Sequence, residues 1–196
     1  MSNKKKAIIF VVSGPSGSGK TTLIKKILQK KIFGGNLIRP VSFTTRPRRD
    51  AEIDKKDYFF ITKKKFFEKI KNKEFLETTK YLDFYYATSR KVIENILRKK
   101  QDAILCLDTK GAKSIKKIFP QNSVCIFILP PSKDTLKERL HARASEHHEQ
   151  IKKRLGVAEK ELKISEWYDY RIVNHSLKEA VEYLKKVILK EKLRRK

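Results

Sequence analysis

Residues 7–21 read Ala7-Ile-Ile-Phe-Val-Val-Ser-Gly-Pro-Ser-Gly-Ser-Gly-Lys-Thr21, an apolar run that passes directly into a glycine-rich turn. The apolar run at residues 7–13 predicts a strand covered on both faces, because it is nearly continuous in Ile, Phe and Val. Residues 20–31 predict a helix. A buried strand, a turn and a helix in this order are typical of the first unit of a parallel α/β sheet.

The turn that begins at Gly14 fits the pattern GxxxxGK[ST] at every fixed position. In such a turn, successive backbone N–H groups and the helix N-terminus face phosphate oxygens. Lys20 is predicted to reach the β- and γ-phosphates, and the Thr21 hydroxyl is placed for Mg²⁺. The motif therefore predicts binding of a nucleoside triphosphate such as ATP. The loop residues assigned to this ligand are Gly14, Pro15, Ser16, Gly17, Ser18, Gly19, Lys20, Thr21 and Thr22.

Further apolar runs alternate with helical stretches along the rest of the chain. Strands are predicted at residues 103–108, 123–129 and 170–174, and helices at residues 89–100, 110–118, 133–141, 149–164 and 177–193. Strand–helix alternation implies βαβ units and a parallel sheet. The fold class predicted is therefore α/β, a three-layer phosphate-loop NTPase fold with a parallel sheet core.

Two segments interrupt this alternation. Between residues 37 and 87 lie short runs at 37–44, 58–61 and 84–87 with a helix near 63–72, which predicts a small mixed α+β insertion. Residues 133–162 are charged and almost wholly helical. The domains predicted are a core of residues 1–40, 92–132 and 164–196, an insertion of residues 41–91 and a helical segment of residues 133–163, which we call the lid.

Composition excludes several classes of protein. The 196 residues carry 48 Lys+Arg against 22 Asp+Glu, a net charge of +26, yet 39% are hydrophobic, too many for a disordered basic tail. No apolar run approaches 18 residues, so no membrane interaction is expected. The two cysteines, Cys106 and Cys125, lie in apolar runs, which predicts reduced thiols and a cytoplasmic protein. The charge alone fits either a phosphate or nucleic-acid binder or a solvated, lysine-rich exterior.

The insertion opens with Ser42-Phe-Thr-Thr-Arg46-Pro-Arg-Arg49, which places three arginines within four residues. Arginine forks bind phosphate in a bidentate way. The cluster stands out because only 12 of the 48 basic residues are arginine. It predicts a second phosphate site, the acceptor's, although a solvated basic turn is the alternative.

Together with the loop, these segments resemble the guanylate kinase family. The matching stretches are VSGPSGSGKTTL, VSFTTRPRRDAEIDKKDYFF, EFLETTKYLDFYYATS, LDTKGAKSI, IFILPPS and IVN, in the family's order from Ile8 to about Asn174. The resemblance implies transfer of phosphate from ATP to GMP, with Mg²⁺ as cofactor, and it implies that the insertion binds GMP and that the helical lid is mobile.

The resemblance also implies roles for single residues. Arg46, Arg49, Tyr58 and Tyr86 would hold the GMP phosphate. Glu77 would accept hydrogen bonds from guanine N1–H and the 2-amino group, a pairing that adenine cannot offer. Ser42 and Thr88 would donate to O6, and Asp108 is the remaining residue expected to bind GMP.

The lid arginines that the resemblance assigns to catalysis, beside Lys20 and Arg46, are Arg139, Arg143 and Arg154. The first two are spaced i, i+4, which places them on one helix face, and positioned cations stabilise the charge of the transferring phosphoryl group. Asn174 is expected near the adenine of ATP.

Some positions depart from the family pattern. Cys106 replaces the first of two aspartates after a core strand, and a thiol cannot supply the hard oxygen that favours Mg²⁺. Metal affinity would then rest on Thr21, Asp108 and the phosphates. Lys55 stands where a turn glycine is usual, so another turn geometry is expected there.

Three other functions remain as alternatives. A binding module of the same fold would lose the phosphate loop, which this chain keeps. A kinase of phosphorylated sugars would have no need of Ser42, Glu77 and Thr88 together. The hypothesis of a nucleic-acid-binding protein is supported by the net charge alone, so no specific nucleic acid is expected as a partner. The sequence leaves monomer and homodimer open.

Overall fold

A computed structural model of the chain describes residues 6–141 and 148–195. The strands are β1 (Ile9–Ser13), β2 (Leu37–Ile38), β3 (Ser42–Thr44), β4 (Tyr58–Phe60), β5 (Phe75–Tyr81), β6 (Phe84–Ser89), β7 (Asp102–Cys106), β8 (Ser123–Leu129) and β9 (Tyr170–Val173). The helices are α1 (Lys20–Leu28), α2 (Lys63–Lys71), α3 (Arg90–Arg98), α4 (Thr109–Ile118), α5 (Lys133–His141), α6 (His148–Lys163) and α7 (Leu177–Arg194), with 3₁₀ turns at Lys31–Phe33 and Ser165–Trp167.

The first sheet is parallel and has the strand order β2-β7-β1-β8-β9. Its central strand β1 is buried along its whole length because helices cover both faces. Phe10 and Val12 pack toward α1 and α7, in one cluster with Leu23 and Leu184, while the alternate side chains join α3 and α4. The prediction of a parallel, doubly covered sheet is confirmed.

The second sheet has the order β4-β3-β6-β5 and mixes parallel and antiparallel pairs. Helix α2 covers it through Phe66, which packs against Phe75 and Ala87. This sheet stands beside the core sheet because β5 contacts the start of α4. The α+β insertion is therefore present as predicted.

Two details of the sequence interpretation were wrong. The run at residues 37–44 is divided between the sheets, since Leu37 pairs with Asp102 of the core and Ser42 with Tyr58 of the insertion. Pro40 lies between them, and a proline cannot donate a ladder hydrogen bond. Strand β5 was not predicted, although its burial alternates from Glu77 to Lys80 as in a half-buried strand.

The lid consists of α5 and α6, which pack through Leu136, Leu140, Leu155 and Ala158. Among the residues that the structure describes, no helix combines the length and the apolar character needed to cross a bilayer.

Candidate active site

The glycine-rich loop joins the carboxyl end of β1 to the start of α1. All three glycines of the loop have a positive φ, and at two of them an added Cβ would lie far too close to another segment. Gly14 has φ 138°, and an added Cβ there would lie 2.3 Å from Ile128 O. Gly19 has φ 92°, and its Cβ would lie 2.3 Å from Asn174 Nδ2. Side chains are excluded at both points, so the backbone can curl as the motif predicts.

Two basic side chains meet at this loop. Lys20 Nζ donates to Gly14 O at 2.6 Å and to Pro15 O at 2.8 Å. Arg154, from the lid helix α6, donates through Nη1 to Ser16 Oγ at 2.8 Å. The structure therefore brings the predicted loop lysine and one predicted lid arginine to the same glycine-rich loop.

Arg46 lies just beyond β3 and is held in place by an acidic partner. Its Nη2 donates to both carboxylate oxygens of Glu52, at 2.7 and 2.9 Å, and its Nη1 donates to Pro47 O at 2.7 Å. Burial alone would lower the pKa of Arg46, but the Glu52 hydrogen bond raises it above its usual value. The guanidinium is therefore a fixed, charged group beside Arg49, whose backbone N–H donates to the same Glu52 carboxylate at 3.0 Å.

Tyr58 and Tyr86 complete this cluster from β4 and β6, with ring centroids 6.1 Å apart. Burial, and then the neighbouring Cys106, raise the pKa of Tyr58, so its hydroxyl stays protonated. A protonated phenol can donate to a phosphate oxygen. The two tyrosines and two arginines predicted for one phosphate thus lie together.

Glu77 projects from β5 and is only 5% exposed. Its Oε1 accepts a hydrogen bond from Thr88 Oγ1 at 2.7 Å, while Oε2 has no donor in the described part of the chain. Burial and the nearby Asp108 raise the pKa of Glu77 to about 7. A Cβ added at Gly111 would lie 3.0 Å from Glu77 Oε2. Because this glycine at the start of α4 has no side chain, the Glu77 carboxylate can lie close to the helix. The unpaired Oε2 favours a ligand with N–H donors.

Asp108 caps helix α4 at the same place. Its Oδ1 accepts from Gly111 N at 2.8 Å and its Oδ2 from Thr79 Oγ1 at 2.7 Å. These bonds tie the insertion strand β5 to the core helix α4. They also engage both carboxylate oxygens, so Asp108 contributes to the site mainly through its charge and its free lone pairs.

One cavity of about 530 Å³ joins these groups. Its size is in the range of small-molecule sites. The predicted site residues that line it are Gly14, Ser16, Gly17, Gly19, Lys20, Thr21, Thr22, Ser42, Arg46, Arg49, Tyr58, Glu77, Tyr86, Asp108 and Arg154. The loop and the arginine–tyrosine cluster therefore open into one space.

Other predicted site residues lie outside the lining. Pro15 and Ser18 are buried within the loop, and Thr88 is buried behind Glu77. Arg139 is half-buried on α5 and does not line the cavity as described here. Arg143 falls outside the described residues.

Asn174 is 5% exposed and contacts the buried side of the glycine-rich loop. Its Nδ2 donates to Ser18 O at 2.8 Å. The structure thus gives Asn174 a contact that orders the loop, and its contact with adenine stays a prediction.

Several lining residues were not predicted for the site. Among them are Arg39, Glu52, Thr79, Tyr81 and Glu161. The sequence gives a local indication that Glu52 pairs with an arginine, because this glutamate follows the arginine cluster within a few residues. Glu161 had none, since its helix is charged throughout and only tertiary packing selects it.

The turn at Lys55 corrects an expectation from the sequence. Lys55 has φ 63°, the left-handed conformation that glycine favours. The lysine thus adopts the glycine-like geometry instead of avoiding it.

A metal ion would find few protein ligands here. The described residues contain no group of three His, Cys, Asp or Glu side chains suited to a metal. The hydroxyl of Thr21 lines the cavity, and Cys106 ends β7 as a half-buried free thiol. This set fits an ion held by one hydroxyl and by substrate oxygens, as is usual for Mg²⁺.

Comparisons with known proteins agree on one family. The family model described as guanylate kinase matches residues 5–191. The guanylate kinase of Oceanobacillus iheyensis is 40% identical over 98% of this chain and 91% of its own length. That of Protochlamydia amoebophila is 42% identical over 95% of this chain and 92% of its own. The solved guanylate kinase of Anaplasma phagocytophilum is 30% identical, with a TM-score of 0.81 over 96% of this chain and 88% of that one.

The match spans the phosphate loop, the insertion and the lid, and the fold agrees along nearly the whole length. The chain therefore belongs to the guanylate kinase family.

Proposed function

We propose that this protein transfers the γ-phosphoryl group of ATP to GMP, or to dGMP, giving ADP and GDP or dGDP in guanine nucleotide metabolism. The observation that carries the proposal is that one cavity joins the phosphate loop, the Arg46–Arg49 cluster and the buried Glu77 carboxylate. The first serves a triphosphate, the second a monophosphate and the third a base with N–H donors.

Base recognition rests on Glu77. Its unpaired Oε2 and its raised pKa, about 7, describe a carboxylate short of donors. Guanine N1–H and the 2-amino group supply two donors on one edge, which stabilises the ionised form. Adenine presents an acceptor at N1, so it would leave the buried carboxylate unpaired at a cost of about 1–3 kcal/mol or more.

The O6 contact is assigned to Ser42 and Thr88. The single proton of Thr88 Oγ1 goes to Glu77 in the structure. Donation to O6 therefore requires this hydroxyl to turn, which leaves Ser42, on the cavity wall, as the direct donor.

Transfer itself requires positioning and charge. An oxygen of the GMP phosphate attacks the γ-phosphorus, the bond to the β,γ-bridging oxygen breaks, and ADP leaves. Arg46 and Arg49 hold the attacking phosphate, Lys20 and the loop amides hold the triphosphate, and Arg154 reaches the loop from the lid. The other arginines assigned to this step are Arg139 and Arg143.

Mg²⁺ is the cofactor proposed, held by Thr21 and by phosphate oxygens. When bound, such an ion neutralises charge on the β- and γ-phosphates. The two free thiols favour a reducing compartment, which supports a cytoplasmic location.

The test is an assay of ADP production with GMP, AMP, CMP and UMP in turn. We expect turnover with GMP at least a hundredfold above that with AMP. Equal turnover with AMP, or none with GMP, would contradict the proposal.

Two matched pairs of variants assign the residues. Lys20→Ala should abolish transfer, whereas Lys26→Ala, which removes an exposed lysine from the same helix, should not. Glu77→Gln should weaken selection of GMP over AMP, and Glu74→Gln, on the exposed start of the same segment, should leave it intact.

A further inference from the structure

Glu161 is a buried carboxylate that has no role in the phosphoryl transfer proposed above. It lies on α6, is 7% exposed and belongs to the cavity wall. Its Oε1 accepts a hydrogen bond from Thr109 Oγ1 at 3.4 Å, at the long end of the range. Its Oε2 is buried, with no donor among the described residues. A buried carboxylate oxygen without a donor is costly, which points to a ligand that supplies one.

The surroundings of Glu161 place it between the base end of the GMP site and the phosphate loop assigned to ATP. Asp108 lies beside Glu77 at the base end, and its charge opposes ionisation of Glu161. Lys20 lies at the phosphate loop, and its charge favours that ionisation. Two tyrosines, Tyr81 and Tyr168, also interact electrostatically with Glu161. In the proposed transfer the GMP phosphate meets the γ-phosphate held by Lys20, so the part of GMP that lies between the base and this point is the ribose.

The chemistry of guanosine supports this placement. With N1–H and one N–H of the 2-amino group paired to Glu77, the donors that remain on the nucleoside are the second 2-amino N–H and the ribose hydroxyls. The 2′-hydroxyl lies on the same edge of the nucleoside as the 2-amino group. A carboxylate that shares the cavity wall with Glu77 and Asp108 is therefore placed to accept a hydrogen bond from it. A hydroxyl donating to Oε2 would satisfy the one oxygen that the described chain leaves unpaired.

We propose that Glu161 accepts a hydrogen bond from a ribose hydroxyl of bound GMP and so makes the site prefer GMP to deoxyguanylates. The inference rests on the proposed function and adds a specificity residue to it. Burial raises the pKa of Glu161 to about 7, and Lys20 partly offsets this effect. A bound hydroxyl would favour the ionised form further.

The experiment compares kcat/KM for GMP, 2′-deoxy-GMP and 3′-deoxy-GMP at pH 8, where Glu161 is ionised. The wild-type protein should prefer GMP to one of the deoxy substrates by about tenfold, as expected for a hydrogen bond to a charged group. In Glu161→Ala, this ratio should fall to within about twofold of unity. Glu161→Gln should give an intermediate ratio, because its amide oxygen still accepts. Glu159→Gln removes an exposed carboxylate from the same helix and should keep the wild-type ratio.

The ratio separates specificity from a structural role. If Glu161 only orders the lid helix, its variants lower kcat/KM for all three substrates equally and the ratios stay unchanged, which overturns the inference. A wild-type protein that uses the three substrates equally overturns it without any variant. Failure of the wild-type protein to phosphorylate GMP is a different result, because it contradicts the proposed function itself.

Discussion

Glu77 carries a cost in the protein without ligand that its function explains. Its folded-state pKa is raised to about 7 from an ordinary value of 4.5, chiefly by burial. The folded protein therefore holds a proton that the unfolded chain releases, and stability falls as pH rises from about 4.5 to about 7. Above that range the buried charge costs on the order of 3 kcal/mol.

We therefore expect Glu77→Gln to stabilise the protein without ligand at pH 8 and to leave its stability nearly unchanged at pH 4.5. Thermal unfolding at the two pH values measures this, with an expected rise of several degrees at pH 8. Glu74→Gln, whose carboxylate is exposed and paired with Lys69, is the control. An equal effect of Glu77→Gln at both pH values would show that burial of its charge is not the cause.

Cys106 offers a second test at a single position. The thiol ends β7 beside Tyr58 and lines the cavity, but sulfur is a poor partner for Mg²⁺ or its bound waters. Cys106→Asp should lower the Mg²⁺ concentration needed for half-maximal binding of ATP by about tenfold, the range seen for groups that support metal ligands. Cys106→Asn, similar in size and uncharged, should give a smaller change. If the two variants needed the same Mg²⁺ concentration, the charge of the aspartate would not be the cause of the change.

At the scale of elements, two helices are each followed by a lysine in the left-handed conformation, which is unfavourable for a residue with a Cβ. After α3, Lys100 has φ 56°, and the bonds Lys100 N to Leu97 O and Gln101 N to Ile96 O close the end of the helix. Lys73 has the same role after α2, with φ 55°. Glycine is the usual residue at this position because it has no Cβ to strain the left-handed conformation.

We expect Lys100→Gly to stabilise the protein by about 1 kcal/mol, since relief of the left-handed strain exceeds the added entropy of the unfolded chain. Urea unfolding measures the change. Lys99→Gly, one residue earlier at φ −77°, should instead destabilise. If both variants destabilise, the left-handed lysine is not under strain.

The contact between elements also explains why the site forms. Thr79 on β5 bonds to Asp108, which caps α4 through Gly111. This joins the insertion sheet to the core sheet beside the carboxylate of Glu77. Arg154 on α6 joins the lid to the phosphate loop. Each element thus brings its functional residue by means of a contact that is itself polar.

For the whole molecule, the net charge of +26 exceeds what the site uses. Every lysine whose side chain the structure describes is exposed or half-buried, so most of this charge faces solvent. Both proposed substrates are anions, and a positive surface raises their rate of encounter. The exterior therefore contributes to association and not to chemistry.

We expect kcat/KM for GMP to fall several-fold between about 20 and 200 mM KCl, because salt screens long-range attraction. Steady-state kinetics at fixed Mg²⁺ measure the slope, and kcat should change less. Replacing Lys63 and Lys64, which are exposed on α2, by glutamine should reduce the slope without altering kcat. A kcat/KM independent of salt would contradict attraction by the surface.

The sequence alone determined the parallel core, the phosphate loop and the arginine cluster, because each depends on local pattern. A buried strand shows as an apolar run, and the loop shows as glycines at fixed spacing before a helix. The division of the run 37–44 into two strands and the strand from Phe75 to Tyr81 were missed because strand pairing depends on partners distant in the chain.

Only the tertiary structure decided which polar groups are buried and what they meet. Nothing local distinguishes Glu161 from the other glutamates of its helix, yet it comes to lie buried in the cavity wall. The physical reason is that desolvation and pairing arise between segments far apart in sequence, such as α6 and the turn before α4. Composition could count the charges, but the packing of these segments set which of them act on a substrate.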